Sequence, residues 1–153
     1  MEGDSEKVFV EYLRAVCGRG CGTRITVENA YGGSGDVVLE EAINLSPGYS
    51  VVVSLYDADR PAKIKKNLKR AHQLGIKRVI TKPCIEALFL EILEVGIPSG
   101  TENCKKGIRD ILGSDTLVEK KTYENWFPIE LLDRRKEDIP DLLLIMKLIR
   151  REN

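Results

Sequence analysis

A chain of 153 residues with 42% hydrophobic content can bury one sizeable core and fits a single domain. Its 24 basic and 24 acidic residues cancel, which excludes a global positive field for nucleic acid and leaves that task to local patches. No apolar run approaches the roughly 18 residues of a membrane span, the N-terminus opens on acids instead of a basic and apolar leader, and scattered thiols fit a reducing cytoplasm. Cys17 and Cys21 are close-set, but the single histidine, His72, stands far from them. Structural zinc would want a second close pair or a histidine partner, so it is not expected.

In chain order the predicted elements alternate. Ser5 is placed to cap a helix in which Val8, Phe9, Leu13 and Val16 recur at helical spacing until Cys17-Gly18 stops it. Arg24 to Val27 alternates polar and apolar residues, which predicts a short strand. Gly32-Gly33-Ser34-Gly35 is a loop, and Asp36 can cap a second helix carrying Val38, Leu39, Ala42 and Ile43. Pro47-Gly48 ends it. The β-branched run Val51 to Val53 then leads through Leu55 and Tyr56 as a buried strand. Ile64, Leu68 and Ala71 mark one face of a third helix closed by Gly75, where a left-handed residue is wanted. Lys77 to Thr81 is a further strand. Such alternation predicts an α/β fold with a parallel sheet and helices on its faces, and Ile85 to Val95 forms a broad apolar helix packed on that sheet.

Beyond Gly96 the pattern turns helical. Asn103 to Leu112 is a helix with Gly113 as its stop, and Trp126-Phe127-Pro128 is an aromatic hinge better suited to a core than to stacking bases. Pro140 opens a last helix, with Asp141 in its first turn and Arg150 and Arg151 in its last, both favourable to the helix dipole. The organisation expected is an α/β unit over residues 1–96 with a helical extension over residues 97–153 packed on it as one compact domain.

The chemistry concentrates where the Val51 strand ends in Asp57-Ala58-Asp59. Open α/β sheets place their ligands at the carboxyl edge of the strands, and paired carboxylates there suit a hard cation completed by water and substrate phosphate. A second acidic group, Glu2-Gly3-Asp4-Ser5-Glu6, stands at the N-terminus. If the two groups meet in space, they form a metal site able to act on a phosphodiester.

Glu2-Gly3-Asp4-Ser5-Glu6, Asp57-Ala58-Asp59 and Thr81-Lys82-Pro83-Cys84-Ile85-Glu86 come in the order seen in TOPRIM domains, and the chain over residues 2–93 resembles RloB-type proteins of bacterial defence loci. The resemblance implies a TOPRIM-like parallel sheet and Mg²⁺ or Mn²⁺ held by Glu2, Asp57 and Asp59, with Glu6 as an auxiliary ligand. It implies a metal-dependent nuclease or nuclease subunit of an anti-phage system, binding nucleic acid, DNA in the first instance, with a partner ATPase of the same locus or a second copy of the chain as associates. The chain departs from the family in Thr81-Lys82 and in Ile92, where a histidine is expected. Only Met1 precedes Glu2, where the family has a hydrophobic strand. The sheet is therefore expected to lack its N-terminal strand, and self-association, a partner strand or the tail to cover the open edge.

Each feature also has a plainer role. Asp57 and Asp59 could cap the turn before Pro61, and Glu2 and Glu6 could be favourable first-turn charges. Glu86 either serves the first turn of its helix or joins the catalytic set, and Lys82 is a solvated cation or a stabiliser of phosphate charge. Lys63, Lys66, Lys69 and Arg70, with Lys65, form a solvated helix face or track a phosphate backbone. The glycine loop lacks the Gly-Lys-Ser/Thr ending of a Walker loop and is expected to be a flexible connection. A receiver domain is excluded because too few residues separate Asp57 from Lys82 for a further strand and helix. A catalytically silent TOPRIM scaffold, binding an ATPase or nucleic acid, stands as the alternative to the enzyme.

Overall fold

The computed structural model describes residues 3–20, 22 and 24–152. Helix α1 spans Asp4–Cys17 and buries Phe9, Tyr12, Leu13 and Cys17 along one face, the spacing expected of an amphipathic helix. It begins one residue earlier than Ser5. Its N-cap is the extended Gly3, without a side-chain cap. After an irregular stretch come α2, Gly35–Leu45, and a short 3₁₀ turn, Ser46–Gly48. Strand β1, Val53–Asp57, starts two residues after the β-branched run does, and α3 follows at Lys65–Gln73. Gly75 adopts the left-handed conformation expected of it and leads into β2, Lys77–Thr81. Helix α4, Ile85–Ile92, is buried on almost every side, as befits a helix apolar all round.

The remainder is helical: α5 Thr101–Leu112, α6 Lys120–Trp126, α7 Ile129–Arg135 and α8 Pro140–Arg150. Gly113 ends α5 and Pro140 opens α8, as the sequence predicts. Among the described residues, none of these helices is long and apolar enough to cross a membrane.

The fold is mixed α/β and mostly helical, around a two-stranded parallel sheet in which Val53 pairs with Lys77 and Asp57 with Thr81. Successive side chains on a strand point to opposite faces, so Leu55 and its neighbour Val79 join the larger core of α1, α4 and α8. Val52 joins the smaller cluster of Leu39, Ala42, Ala71 and Ile76 under α2 and α3. Helices thus cover both faces. The larger core draws on residues before and after Gly96 alike, including Phe9, Phe89, Tyr123 and Phe127.

Arg24 to Val27 is not a strand. Strand propensity needs a partner ladder, and here the Ile25 carbonyl accepts from the Arg14 guanidinium at 2.9 Å instead. The hinge at Trp126-Phe127-Pro128 separates two short helices, α6 and α7, and Phe127 is fully buried. The glycine loop meets α2 in a close-packed last residue. Gly35 is buried, its N–H donates to the Arg60 carbonyl at 2.6 Å, and a Cβ there would meet the Ala62 nitrogen at 2.6 Å and the Tyr56 ring at 2.7 Å.

Asp36 does not cap α2, whose N-cap is Ser34; its Oδ1 accepts from the backbone N–H groups of Lys63 and Ile64, both at 2.9 Å. One carboxylate oxygen thereby fastens the approach to α3 onto α2. Asp36→Ala leaves these two donors to water and should cost about 1 kcal/mol. A lower urea midpoint with unchanged slope is the expected result.

Candidate functional site

The carboxyl edge of the sheet carries Asp57 and, just beyond the strands, Asp59 and Lys82. Asp57 is the last residue of β1, 7% exposed, and lies opposite Thr81, the last of β2. The Thr81 hydroxyl donates to Asp57 Oδ1 at 2.5 Å. Beyond the strands the Ala58 N–H donates to the Thr81 carbonyl and the Asp59 N–H to the Pro83 carbonyl. These bonds hold the acidic turn against the segment that leads into α4.

Two further carboxylates stand in the first turns of α1 and α4. Glu6, in α1, is 5% exposed and folds back over Gly3, where a Cβ would lie 2.7 Å from Glu6 Oε2. It stands three residues after the N-cap, the position from which a glutamate reaches back over a helix terminus, so its role as a first-turn charge is realised. Glu86, in the first turn of α4, carries a buried Oε2 with no hydrogen-bond partner.

Two other groups tie these acids together. Tyr123, buried in α6, has its phenol within hydrogen-bond distance of the Leu117 and Ser5 carbonyls, at 2.8 and 3.1 Å. Burial raises its pKa, and the charges of Glu6 and Glu86 raise it further. Cys84 precedes α4, and burial pushes its thiol up to about 12; Glu86 and Asp57 add to the rise and a backbone bond at Ala87 opposes it. The thiol therefore stays protonated and is no nucleophile. Glu86 thus acts on both buried neutral groups, with Glu6 acting on Tyr123 and Asp57 on Cys84.

Asp59 behaves differently. It is exposed, and its Oδ2 accepts from the Thr101 hydroxyl of α5 at 2.8 Å. Lys82 is also exposed. Burial raises the carboxyl of Asp141 and the Lys82 charge counters that rise, so the ammonium stands near the first turn of α8. Glu2 lies outside the described residues. Among the described residues no group of three or more His, Cys, Asp or Glu is arranged to hold a metal ion.

Lys66, Lys69 and Arg70 line a shallow groove between α2 and α3 together with Glu40, Asn44 and Gln73. Lys63 is exposed in the connection ahead of α3. The roles of Thr81, Cys84 and Tyr123 are additions that sequence reasoning missed. Thr81 left a trace as the last residue of a predicted strand, and Thr81 and Cys84 both stand in the motif that leads to Glu86.

No family model matches the chain, no curated protein matches it, and no solved structure matches it.

Proposed function

We propose that the protein is a TOPRIM-like, metal-dependent phosphodiester hydrolase acting on nucleic acid, as a nuclease or nuclease subunit of an RloB-like anti-phage system. The observation that supports this reading is that Glu86, which acts with Asp57 on Cys84 at the carboxyl edge of the sheet, carries a buried Oε2 with no hydrogen-bond partner. A buried carboxylate oxygen without a partner is costly unless charge compensates it, and a hard cation is a compensation that oxygen donors suit. The orphaned Glu86 Oε2 fits that donor set.

When bound, Mg²⁺ or Mn²⁺ supplies Lewis-acid activation of water and offsets phosphodiester charge. Asp57, fixed by Thr81, would be its anchoring ligand, with Glu6, Glu86 and Glu2 completing the carboxylate set. Asp59 serves at the rim, where leaving Thr101 would free it. Lys82 offers a cation to phosphate oxygens, and Lys63, Lys66, Lys69 and Arg70 carry the flanking backbone.

Plasmid or single-stranded DNA should be cut in Mg²⁺ or Mn²⁺ and spared on chelation. Lys66→Glu with Lys69→Glu should weaken DNA binding and flatten its salt dependence by about one counterion for each phosphate no longer engaged. Unchanged binding would remove α3 from the interface. The bond between Asp59 and Thr101 favours one second reading, a silent scaffold that binds an ATPase or nucleic acid. On that reading the protein cuts nothing even with its partner added, and Asp59→Asn leaves phage protection intact.

A further inference from the structure

Tyr31 is the most exposed large hydrophobic side chain among the described residues, 90% accessible where the next, Val51, reaches 56%. Its backbone is left-handed, with φ at 56°, a region that a bulky residue enters only at a cost in free energy. Leaving the ring in water and straining the backbone beneath it both oppose folding. Gly32 and Gly33 follow with φ of 83° and 111°, so the same turn uses residues that take this region freely. The fold therefore gains nothing from a tyrosine at position 31.

The loop that carries it is fastened at both ends. On one side the buried Asn29 donates from Nδ2 to Asp4 Oδ1 at 2.7 Å, and its Oδ1 accepts from the Tyr31 N–H at 2.8 Å. Asp4 opens α1, in the same turn as Glu6. On the other side the Gly33 carbonyl accepts from the Arg60 guanidinium at 3.4 Å, and the Gly35 N–H donates to the Arg60 carbonyl. The Arg60 N–H in turn donates to the Asp57 carbonyl at 3.3 Å. One loop thus joins the start of α1 to the acidic turn after β1. Tyr31 stands two residues from Asn29 and two from Gly33, so its Cα lies within about 7 Å of each. Lys63 is exposed, and its N–H is held by Asp36 at the start of α2, the helix that the loop enters.

We propose that Tyr31 is a stacking platform for one unpaired base of a nucleic-acid strand whose backbone runs toward the carboxyl edge of the sheet. The inference rests on the nucleic-acid reading given above and names the substrate class, a single strand or an unpaired end. Every base has a π-face, so one exposed ring favours stacking without selecting a sequence. Inside a duplex both faces of a base are covered by its neighbours, and a base must leave the stack before it can meet the ring. Lys63 offers a cation to the adjoining phosphates. Fastening the loop through Asn29 and Arg60 reduces the freedom lost when a base docks, which a freely moving loop would not do.

Fluorescence anisotropy of the full chain tests the proposal, with Ca²⁺ present to neutralise the carboxylates. The probes are a short labelled oligothymidylate, an abasic strand with the same number of phosphates and a duplex of the same length. The parent should prefer the oligothymidylate to the abasic strand by about tenfold, within the range for stacking a base on an aromatic ring. Tyr31→Ala should erase that preference and leave the affinity for the abasic strand unchanged, because the phosphate contacts remain; Tyr31→Phe should keep it. Position 31 is exposed and alanine inherits the same left-handed backbone, so both variants should unfold at the parent's temperature. A Tyr31→Ala protein that still distinguishes the two strands overturns the inference, as does loss of the preference in Tyr31→Phe. A parent that binds both strands equally, or binds the duplex more tightly than the oligothymidylate, overturns it while leaving the nuclease reading in place. A parent that binds no nucleic acid removes both.

Discussion

Phe9→Ala should cost about 3–5 kcal/mol, the range for removing a fully buried phenylalanine. Phe9 is 0% exposed, and its ring meets Phe89 edge-on at 5.0 Å, Tyr123 at 5.6 Å and Phe127 at 6.5 Å. These partners come from α4, from α6 and from the residue ending α6, so one side chain fastens α1 to the rest of the core. Against a total stability of roughly 5–15 kcal/mol for a domain, the loss would leave much of the protein unfolded at moderate urea. Phe9→Leu keeps most of the volume and should cost less than half as much. A Phe9→Ala cost below about 1 kcal/mol would mean that the aromatic cluster is not what holds α1 to the core. The effect reaches the site, because Glu6 lies one turn ahead of Phe9 and is carried by the same helix.

Asp57→Asn should reduce cleavage by about a hundredfold or more, the scale of removing a principal charge-stabilising group from an active site. The substitution keeps size and lets the amide oxygen accept from the Thr81 hydroxyl, so folding should change little. Asp59→Asn should cost less, since Asp59 is exposed and already engaged by Thr101. An equal loss in both variants would show that Asp59 leaves Thr101 and joins Asp57 during turnover. Thermal unfolding of both variants, run beside the cleavage assay, separates chemistry from stability.

Much of this architecture is visible in the sequence because it rests on periodicity. The apolar spacing of α1, the Val51 run of β1, the stop at Gly75 and the proline that opens α8 are local signals, and local signals produced these elements. Arg24 to Val27 carries the alternation of a strand but lacks a neighbour to pair with, and no local pattern encodes that. Helices α6 and α7 span seven residues each, too short for a period to be recognised.

The site divides along the same line. Asp57 at a strand end was legible, but its bond to Thr81 depends on parallel register, and the approach of Tyr123 to Ser5 spans 118 residues of sequence. Asp57 and Asp59 look like a matched pair in the sequence. The strand ends at Asp57, so the alternation that would have carried Asp59 to the same face stops with it.

The claim on which the functional account stands is that the carboxylates at the end of β1 bind a divalent cation. Calorimetric titration of Mn²⁺ into the parent protein and into Asp57→Asn tests it directly. The expected result is saturable binding by the parent and at least about tenfold weaker binding by the variant, a difference of about 1.4 kcal/mol. Equal affinity in the two proteins, or no binding by the parent, would contradict it.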